Sequence, residues 1–336
     1  MRAAACTLER FVESDSATPT VRILTSIWES VLQRAPLGPD DNFFELGGDP
    51  SLAFELFAQI TETCGRELPP SVIYGAPTIL SLANLLARPT LPPLSPQVVL
   101  KPGAEGSPVF ILHGLGSSVW ELFDLVKHLR TGRTVYGLQA AGSDGASPPL
   151  ARIEKMADFH VGTIRSVQPR GPYTLVGYSL GGLIAFEMAR RLAARGEKIA
   201  LLVPIDSYPG SPALWKRMNL AAAQVRYRML DAVRSIKHDT GRPSLPSVSE
   251  RMRFSDFLAW TRYKPRPYKG KIKFVRAESS HYPYPSSIWS PLVSEFEIET
   301  VPGNHHSCLS THSKSLASTL SRCLAGSNPI PEAVSA

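Results

Sequence analysis

Residues 173–189 constrain the fold of this chain more than any other stretch. An apolar run, Tyr173-Thr174-Leu175-Val176, passes through Gly177-Tyr178-Ser179-Leu180-Gly181 into Leu183-Ile184-Ala185-Phe186-Glu187-Met188-Ala189, whose pattern is helical. A Gly-x-Ser-x-Gly pentapeptide alone is a weak signal that an ordinary turn also produces. Between a strand and a helix it reads as a sharp elbow, with the serine on strained backbone and the glycines removing side chains that would collide. The hydroxyl then projects above the sheet, and the Leu180 amide points to where charge develops on an attacked carbonyl. Ser179 is the candidate nucleophile.

The segments around this elbow alternate. Candidate strands are 109–113, 135–139, 173–177, 200–205, 272–276 and 296–301, with helical segments at 120–129, 153–167 and 183–195. Alternation of this kind predicts a mostly parallel sheet covered by helices on both faces. Residues 211–268 interrupt the rhythm: they read as helical and basic and lie between two strands, which suits a lid over the sheet. Upstream, apolar residues at helical spacing predict three helices, at about 21–33, after Asp49-Pro50, and at 79–87, making a small helical bundle over residues 20–88. Six prolines between Pro89 and Pro108 read as a linker over 89–107. The α/β domain then covers 108–325, and 326–336 reads as a disordered tail.

The charge distribution narrows the function classes. The formal net charge is +7 over 336 residues, which could suggest nucleic acid. The excess is local, however: residues 211–270 hold thirteen Lys or Arg against four acids, whereas residues 20–90 hold four arginines against eight acids. A charge run of this kind reads either as a solvated helical face or as a surface for an acidic partner or a phosphate-bearing substrate arm, and its confinement to one segment points away from nucleic acid. No apolar run approaches the roughly 20 residues that span a bilayer. The first ten residues carry charge too early for a secretory signal, so a cytoplasmic protein is expected. Cys6, Cys64, Cys308 and Cys323 show neither metal-knuckle nor disulfide-framework spacing.

A serine hydroxyl needs a base, and the base needs an orienting acid. The run Ala200-Leu201-Leu202-Val203-Pro204-Ile205 ends in Asp206, at the edge where parallel sheets gather their sites. In Val301-Pro302-Gly303-Asn304-His305-His306 the loop after the last strand offers His305, with His306 and His312 as rivals. No carboxylate stands at ligand spacing from these histidines, so no metal is expected. The chain order Ser, Asp, His is that of α/β-hydrolases. The glycines of His113-Gly114-Leu115-Gly116-Ser117, directly after the first strand, let an amide turn inward. This makes Leu115 the second oxyanion donor beside Leu180.

These motifs carry a family resemblance. His-Gly-Leu-Gly-Ser, Gly-Tyr-Ser-Leu-Gly-Gly, Ile-Asp-Ser-Tyr-Pro, Tyr263-Lys264-Pro265-Arg266-Pro267-Tyr268 and Pro-Gly-Asn-His-His resemble the type I thioesterase domains that end nonribosomal peptide and polyketide synthetases. The resemblance selects His305 over His306 and implies hydrolysis or cyclisation of acyl or peptidyl thioesters through an acyl-enzyme. It implies no cofactor for that reaction, and carrier proteins or synthetase modules as partners.

Residues 20–88 resemble a peptidyl or acyl carrier domain through Asp41-Asn42-Phe43-Phe44-Glu45-Leu46-Gly47-Gly48-Asp49. The pattern expects a serine directly after that aspartate, to receive 4′-phosphopantetheine, and this chain has Pro50. Asp49 as N-cap and Pro50 as first helical residue keep the helix intact. Ser51, the remaining candidate for attachment, is then turned roughly 100° around the axis. The bundle reads as a degenerate carrier kept for docking. Two other functions use the same residues: a stand-alone esterase or acyltransferase, and an interaction protein that docks a synthetase through its pseudo-carrier.

Overall fold

A computed structural model describes residues 19–66, 68, 70–88, 94–116, 118–144, 147–210 and 248–326. Residues 211–247 of the expected lid, 89–93 of the expected linker, Ser117 and the tail from 327 lie outside the described residues. The chain divides into two compact units, Met1–Val98 and Val99–Ala336.

In the first unit, α1 (Pro19–Leu32) buries Val21, Leu24, Ile27, Trp28 and Val31, the apolar stripe read from its spacing. Helix α2 (Pro50–Cys64) starts as that reading requires, with the Asp49 side chain accepting from Leu52 N at 2.9 Å and Pro50 in the first turn. It ends on Gly65 in the left-handed region. A 3-10 turn, Pro70–Tyr74, precedes α3 (Ile79–Leu86), which Thr78 and Ser81 cap reciprocally. Phe43, from the acidic loop, is fully buried edge-on against Trp28, with ring centroids 5.4 Å apart. Gly48 has no space for a side chain, because a Cβ would lie 2.4 Å from the Phe43 ring. The loop motif is thus a packing unit as well as a signature.

The second unit is built on a seven-stranded sheet in the order β1-β3-β2-β4-β5-β6-β7. Its strands are β1 (Gln97–Lys101), β2 (Val109–Leu112), β3 (Val135–Leu138), β4 (Tyr173–Tyr178), β5 (Ile199–Ile205), β6 (Tyr268–Ala277) and β7 (Val293–Val301). Neighbours from β3 through to β7 pair in parallel. The helices of this unit are α4 (Phe123–His128), α5 (Ile153–Val167), α6 (Leu180–Ala193), α7 (Val248–Arg262), α8 (Ser286–Trp289) and α9 (Ser313–Ala325). Side chains alternate across the sheet with period two. Phe110, Leu112, Tyr173, Leu175 and Phe274 pack with α5 and α6 on one face. Val109, Ile111, Val176, Val203 and Val275 pack with α4 and α9 on the other.

Several boundaries differ from the sequence reading. The linker region holds strand β1, whose Val98-Val99-Leu100 lies between Pro96 and Pro102. Both prolines fall outside the strand, and an edge strand tolerates them there. Strand β6 begins at Tyr268, four residues before the expected 272, because it pairs with β7 from Tyr268↔Val293 onward. Within the expected lid, residues 248–262 form α7. Among the described residues, no helix is long and apolar enough to cross a membrane.

The order of the strands decides where a site can form. The chain runs from β2 outward to β3, then returns to add β4 on the other side of β2. At such a switch point, the loops after two adjacent strands separate and leave a crevice at their carboxyl ends. The loop at 113–116 and the elbow at Ser179 flank that crevice.

Candidate active site

Ser179 sits between β4 and α6 at φ 54°, ψ −118°. A non-glycine residue there carries about 1–3 kcal/mol of strain, offset by how tightly the elbow is held. Its amide donates to Ile205 O at 2.9 Å, and Ser207 Oγ donates to its carbonyl at 2.6 Å. A Cβ on Gly177 would lie 2.2 Å from Gly181 O, and one on Gly181 would lie 2.5 Å from the carbonyl oxygens of both Leu112 and His113. The glycines therefore let α6 approach the end of β2, which brings the loop at 113–116 next to the elbow. Leu180 is the first residue of α6, so its N–H has no acceptor within the helix and carries the positive end of the helix dipole.

Asp206 follows β5, is fully buried and is also held at positive φ, 41°. Its carboxylate accepts from His305 Nδ1 at 2.8 Å, Ser280 Oγ at 3.1 Å, Ala277 N at 3.2 Å and the Tyr208 hydroxyl at 3.3 Å. An Nδ1–H donated to Asp206 leaves Nε2 of His305 as the acceptor. Ser179 Oγ lies 3.0 Å from that nitrogen and is placed to donate to it. The three residues singled out by the sequence thus stand in one hydrogen-bonded chain, drawn from the ends of β4, β5 and β7.

The histidine is fixed by its backbone and its ring. Tyr178 O–H donates to His305 O at 2.6 Å, and the Tyr178 ring stacks on the imidazole at 5.1 Å. The Cys308 thiol donates to the same carbonyl at 3.3 Å, and burial pushes that thiol up to about 12, so it remains a donor. The rival histidines are anchored by their backbone amides, and the His306 ring lies edge-on to that of His305, with centroids 5.2 Å apart. His306 donates its amide to the Asn304 side chain at 3.0 Å, and His312 precedes α9 with its amide on Ser307 O at 2.8 Å.

In the loop after β2, the amides on either side of Leu115 are taken by carboxylates. Gly114 N donates to Glu121, and Gly116 N donates to Asp256 of α7 at 2.8 Å. Among the described residues nothing accepts from the Leu115 amide, and its side chain is half-exposed. Burial raises the Asp256 carboxyl, a rise opposed by the Gly116 amide and the nearby His113. Sequence reasoning missed Tyr178, Ser207, Tyr208, Ser280, Glu121 and Asp256. Tyr178 lies inside the elbow motif, at a position the pattern leaves open; Ser207 and Tyr208 lie beside Asp206 in Ile-Asp-Ser-Tyr-Pro, Glu121 lies a short way beyond Gly114, and Ser280 and Asp256 act only through contacts far apart in the chain. Among the described residues, no cluster of His, Cys, Asp or Glu could hold a metal ion.

The carrier-like loop in the first unit has a different chemistry. Attachment of a phosphopantetheine arm needs a hydroxyl, and Pro50 at the matched position has none. Ser51 is exposed in the first turn of α2, one residue further along. The position expected for attachment does not fit the group.

The thioesterase domain family matches residues 107–324, and the phosphopantetheine attachment site family matches residues 22–86. Indigoidine synthase of Dickeya dadantii (strain 3937) is 38% identical over 196 residues, 58% of this chain and 13% of the relative. Malpibaldin synthetase of Mortierella alpina is 32% identical over 267 residues, 76% of this chain and 5% of the relative. Enterobactin synthase component F of Escherichia coli (strain K12) is 27% identical over 288 residues, 82% of this chain and 22% of the relative. The chain therefore spans less than a quarter of these relatives' lengths. Among solved structures, it is similar to holo-AB3403, a four-domain nonribosomal peptide synthetase bound to AMP and glycine. That likeness has a TM-score of 0.59 at 24% identity and covers 96% of this chain and 27% of the other. The NocB thioesterase domain from the nocardicin cluster matches with a TM-score of 0.52 at 24% identity, over 66% of this chain and 96% of the other. At those identities the structures speak for the fold alone. The chain belongs to the thioesterase family: it is a hydrolase of thioesters on an α/β-hydrolase fold, preceded by a helical domain of the phosphopantetheine-attachment family.

Proposed function

We propose that Ser179, His305 and Asp206 are the catalytic triad of this thioesterase and that it releases acyl or peptidyl groups from carrier-bound thioesters in nonribosomal peptide or polyketide assembly. The observation that carries this reading is the chain from Ser179 Oγ through His305 to Asp206, at 3.0 and 2.8 Å. Ser179 Oγ attacks the thioester carbonyl as its proton passes to His305 Nε2. The tetrahedral oxyanion takes hydrogen bonds from the Leu180 and Leu115 amides, and its collapse expels the thiolate, which recovers the proton from the imidazolium. Water, or an amine or hydroxyl of the acyl group itself, then attacks the acyl-serine under the same base and releases a free acid or a ring. Asp206 holds the imidazole in the tautomer that both steps need.

The carrier-like domain is proposed as a docking element for synthetase modules, with Ser51 the hydroxyl in its first helical turn. The matches to synthetases support that partner class, and a cytoplasmic location belongs with it. In Ser179→Ala, turnover of an N-acetylcysteamine acyl thioester should fall by about 10⁴-fold or more with the circular dichroism unchanged. Undiminished turnover in that variant would remove the triad reading. An oxygen ester matched to the thioester separates a thioesterase from a general esterase using the same residues.

A further inference from the structure

The peptide units around the Leu115 amide are each held by a side chain. Glu121 accepts from Gly114 N, and Asp256 accepts from Gly116 N at 2.8 Å. His113 Nδ1 donates to Gly114 O at 2.9 Å. That carbonyl shares a planar trans peptide with the Leu115 N–H, so holding one end turns the other to the opposite side. The glycines flanking Leu115 would otherwise leave this peptide free to rotate, and Gly116 already occupies the left-handed region at φ 64°.

Glu121 and His113 belong to the connection between β2 and α4. Asp256 comes instead from α7, 140 residues away from Gly116 in the chain. It is 2% exposed, and burying a carboxylate costs far more than burying an apolar residue at the same place beside Met252 and Ala259. A Cβ on Gly116 would lie 2.3 Å from Arg253 Cγ, so α7 rests directly on this loop. The same helix is tied to the other parts of the site. Trp260 Nε1 donates to Tyr208 O at 2.8 Å, two residues past Asp206, and the Tyr263 hydroxyl donates to Glu187 of α6 at 3.2 Å. Met252, Asp256, Trp260 and Tyr263 fall on one buried stripe. Helix α7 thus touches the loop of the oxyanion amide, the loop of the acid and the helix of the nucleophile.

We propose that Asp256 is a positioning residue for the oxyanion hole: by holding the Gly116 N–H it keeps the Leu115 N–H aimed at the thioester oxygen, so that α7 sets how well the hole is formed. This inference rests on Leu115 as an oxyanion donor and adds what aims it. A rotated Leu115 peptide leaves the triad in place and the acyl group bound. The loss then falls on the transition state, where the oxygen carries charge.

The full chain is assayed with the hexanoyl thioester of N-acetylcysteamine and with the matching dithioester, in which C=S replaces C=O. Sulfur accepts hydrogen bonds weakly, so a working oxyanion hole favours the oxygen compound. Each kcat/KM is divided by the rate of uncatalysed hydrolysis of the same compound. The unsubstituted protein should favour the thioester by about a hundredfold or more. In Asp256→Ala that ratio should fall by about tenfold or more through kcat on the thioester, with KM and the dithioester rate within about threefold. Asp256→Asn, which retains an acceptor for the Gly116 N–H, should keep the ratio within about threefold. An unchanged ratio in Asp256→Ala overturns the proposal. So does an equal loss on both substrates, or a loss in Asp256→Asn as large as in Asp256→Ala. Should Asp256→Ala not fold, Asp256→Leu, which fills the site without an acceptor, decides by the same ratio. A ratio near one in the unsubstituted protein removes the oxyanion assignment and this proposal with it. Undiminished thioester turnover in Ser179→Ala removes the triad, so the failures are told apart.

Discussion

At Asp206, one carboxylate accepts from four donors that belong to three different strand ends and their loops. Each donor favours the charged form and fixes the direction from which His305 approaches. Residues of this kind carry their meaning in long-range contacts. The aspartate was legible because it ends an apolar run, and the serine because glycines surround it. Ser280 has no local signature, since nothing near it in the chain indicates that it faces Asp206, whereas Tyr208 stands two residues after the aspartate. His160, buried in α5, was as hidden as Ser280, being one residue of an amphipathic helix. It makes a prediction of its own. Its folded pKa is about 3, against about 6.5 in an unfolded chain, so the unfolded state takes a proton that the folded state refuses. That contribution is intact above pH 6.5 and is lost as pH falls towards 3, by up to about 1.4 kcal/mol per pH unit. The melting temperature of the unsubstituted protein should therefore fall more steeply between pH 6.5 and 4 than that of His160→Gln, and parallel curves would contradict it.

At the scale of elements, periodicity found the segments whose apolar residues face one way. Helices α1 and α5 and strands β2 to β5 lie within a few residues of their expected bounds. Strand β1 was hidden by the prolines on either side of it. Helix α9 was left without an element because serine and threonine dilute it, although Leu316, Leu320 and Cys323 are buried at helical spacing. Helix α2 shows how an element can stay intact while its chemistry changes. Asp49 caps it and Pro50 enters it without strain, so nothing in its packing requires a hydroxyl at position 50. On incubation with coenzyme A and a broad-specificity phosphopantetheinyl transferase, Pro50→Ser should gain the mass of one arm. The unsubstituted chain, whose hydroxyl lies a residue further around the helix, should gain it more slowly. Equal rates would show that the transferase accepts Ser51 as readily.

At the scale of the whole molecule, the chain comprises two compact units with separate cores. The acidic loop motif and the basic stretch between β5 and β6 give the two units opposite charge, a division legible from the distribution of Lys, Arg, Asp and Glu alone. Two cores imply two cooperative transitions. Calorimetry should resolve two endotherms, and diisopropyl fluorophosphate, which reacts with activated serines, should raise only the larger one. A shift of both by the same amount would mean that the units unfold together.

Strand β4 ends in two neighbours with complementary tasks: Tyr178 grips the backbone of His305, and Ser179 faces its ring. The imidazole is therefore gauged from the strand that presents the hydroxyl, and not only from β7, which delivers its loop. A shift of β7 alone would move the ends of that loop, while the tyrosine that grips the imidazole's backbone and the serine that faces its ring would keep their places on one strand.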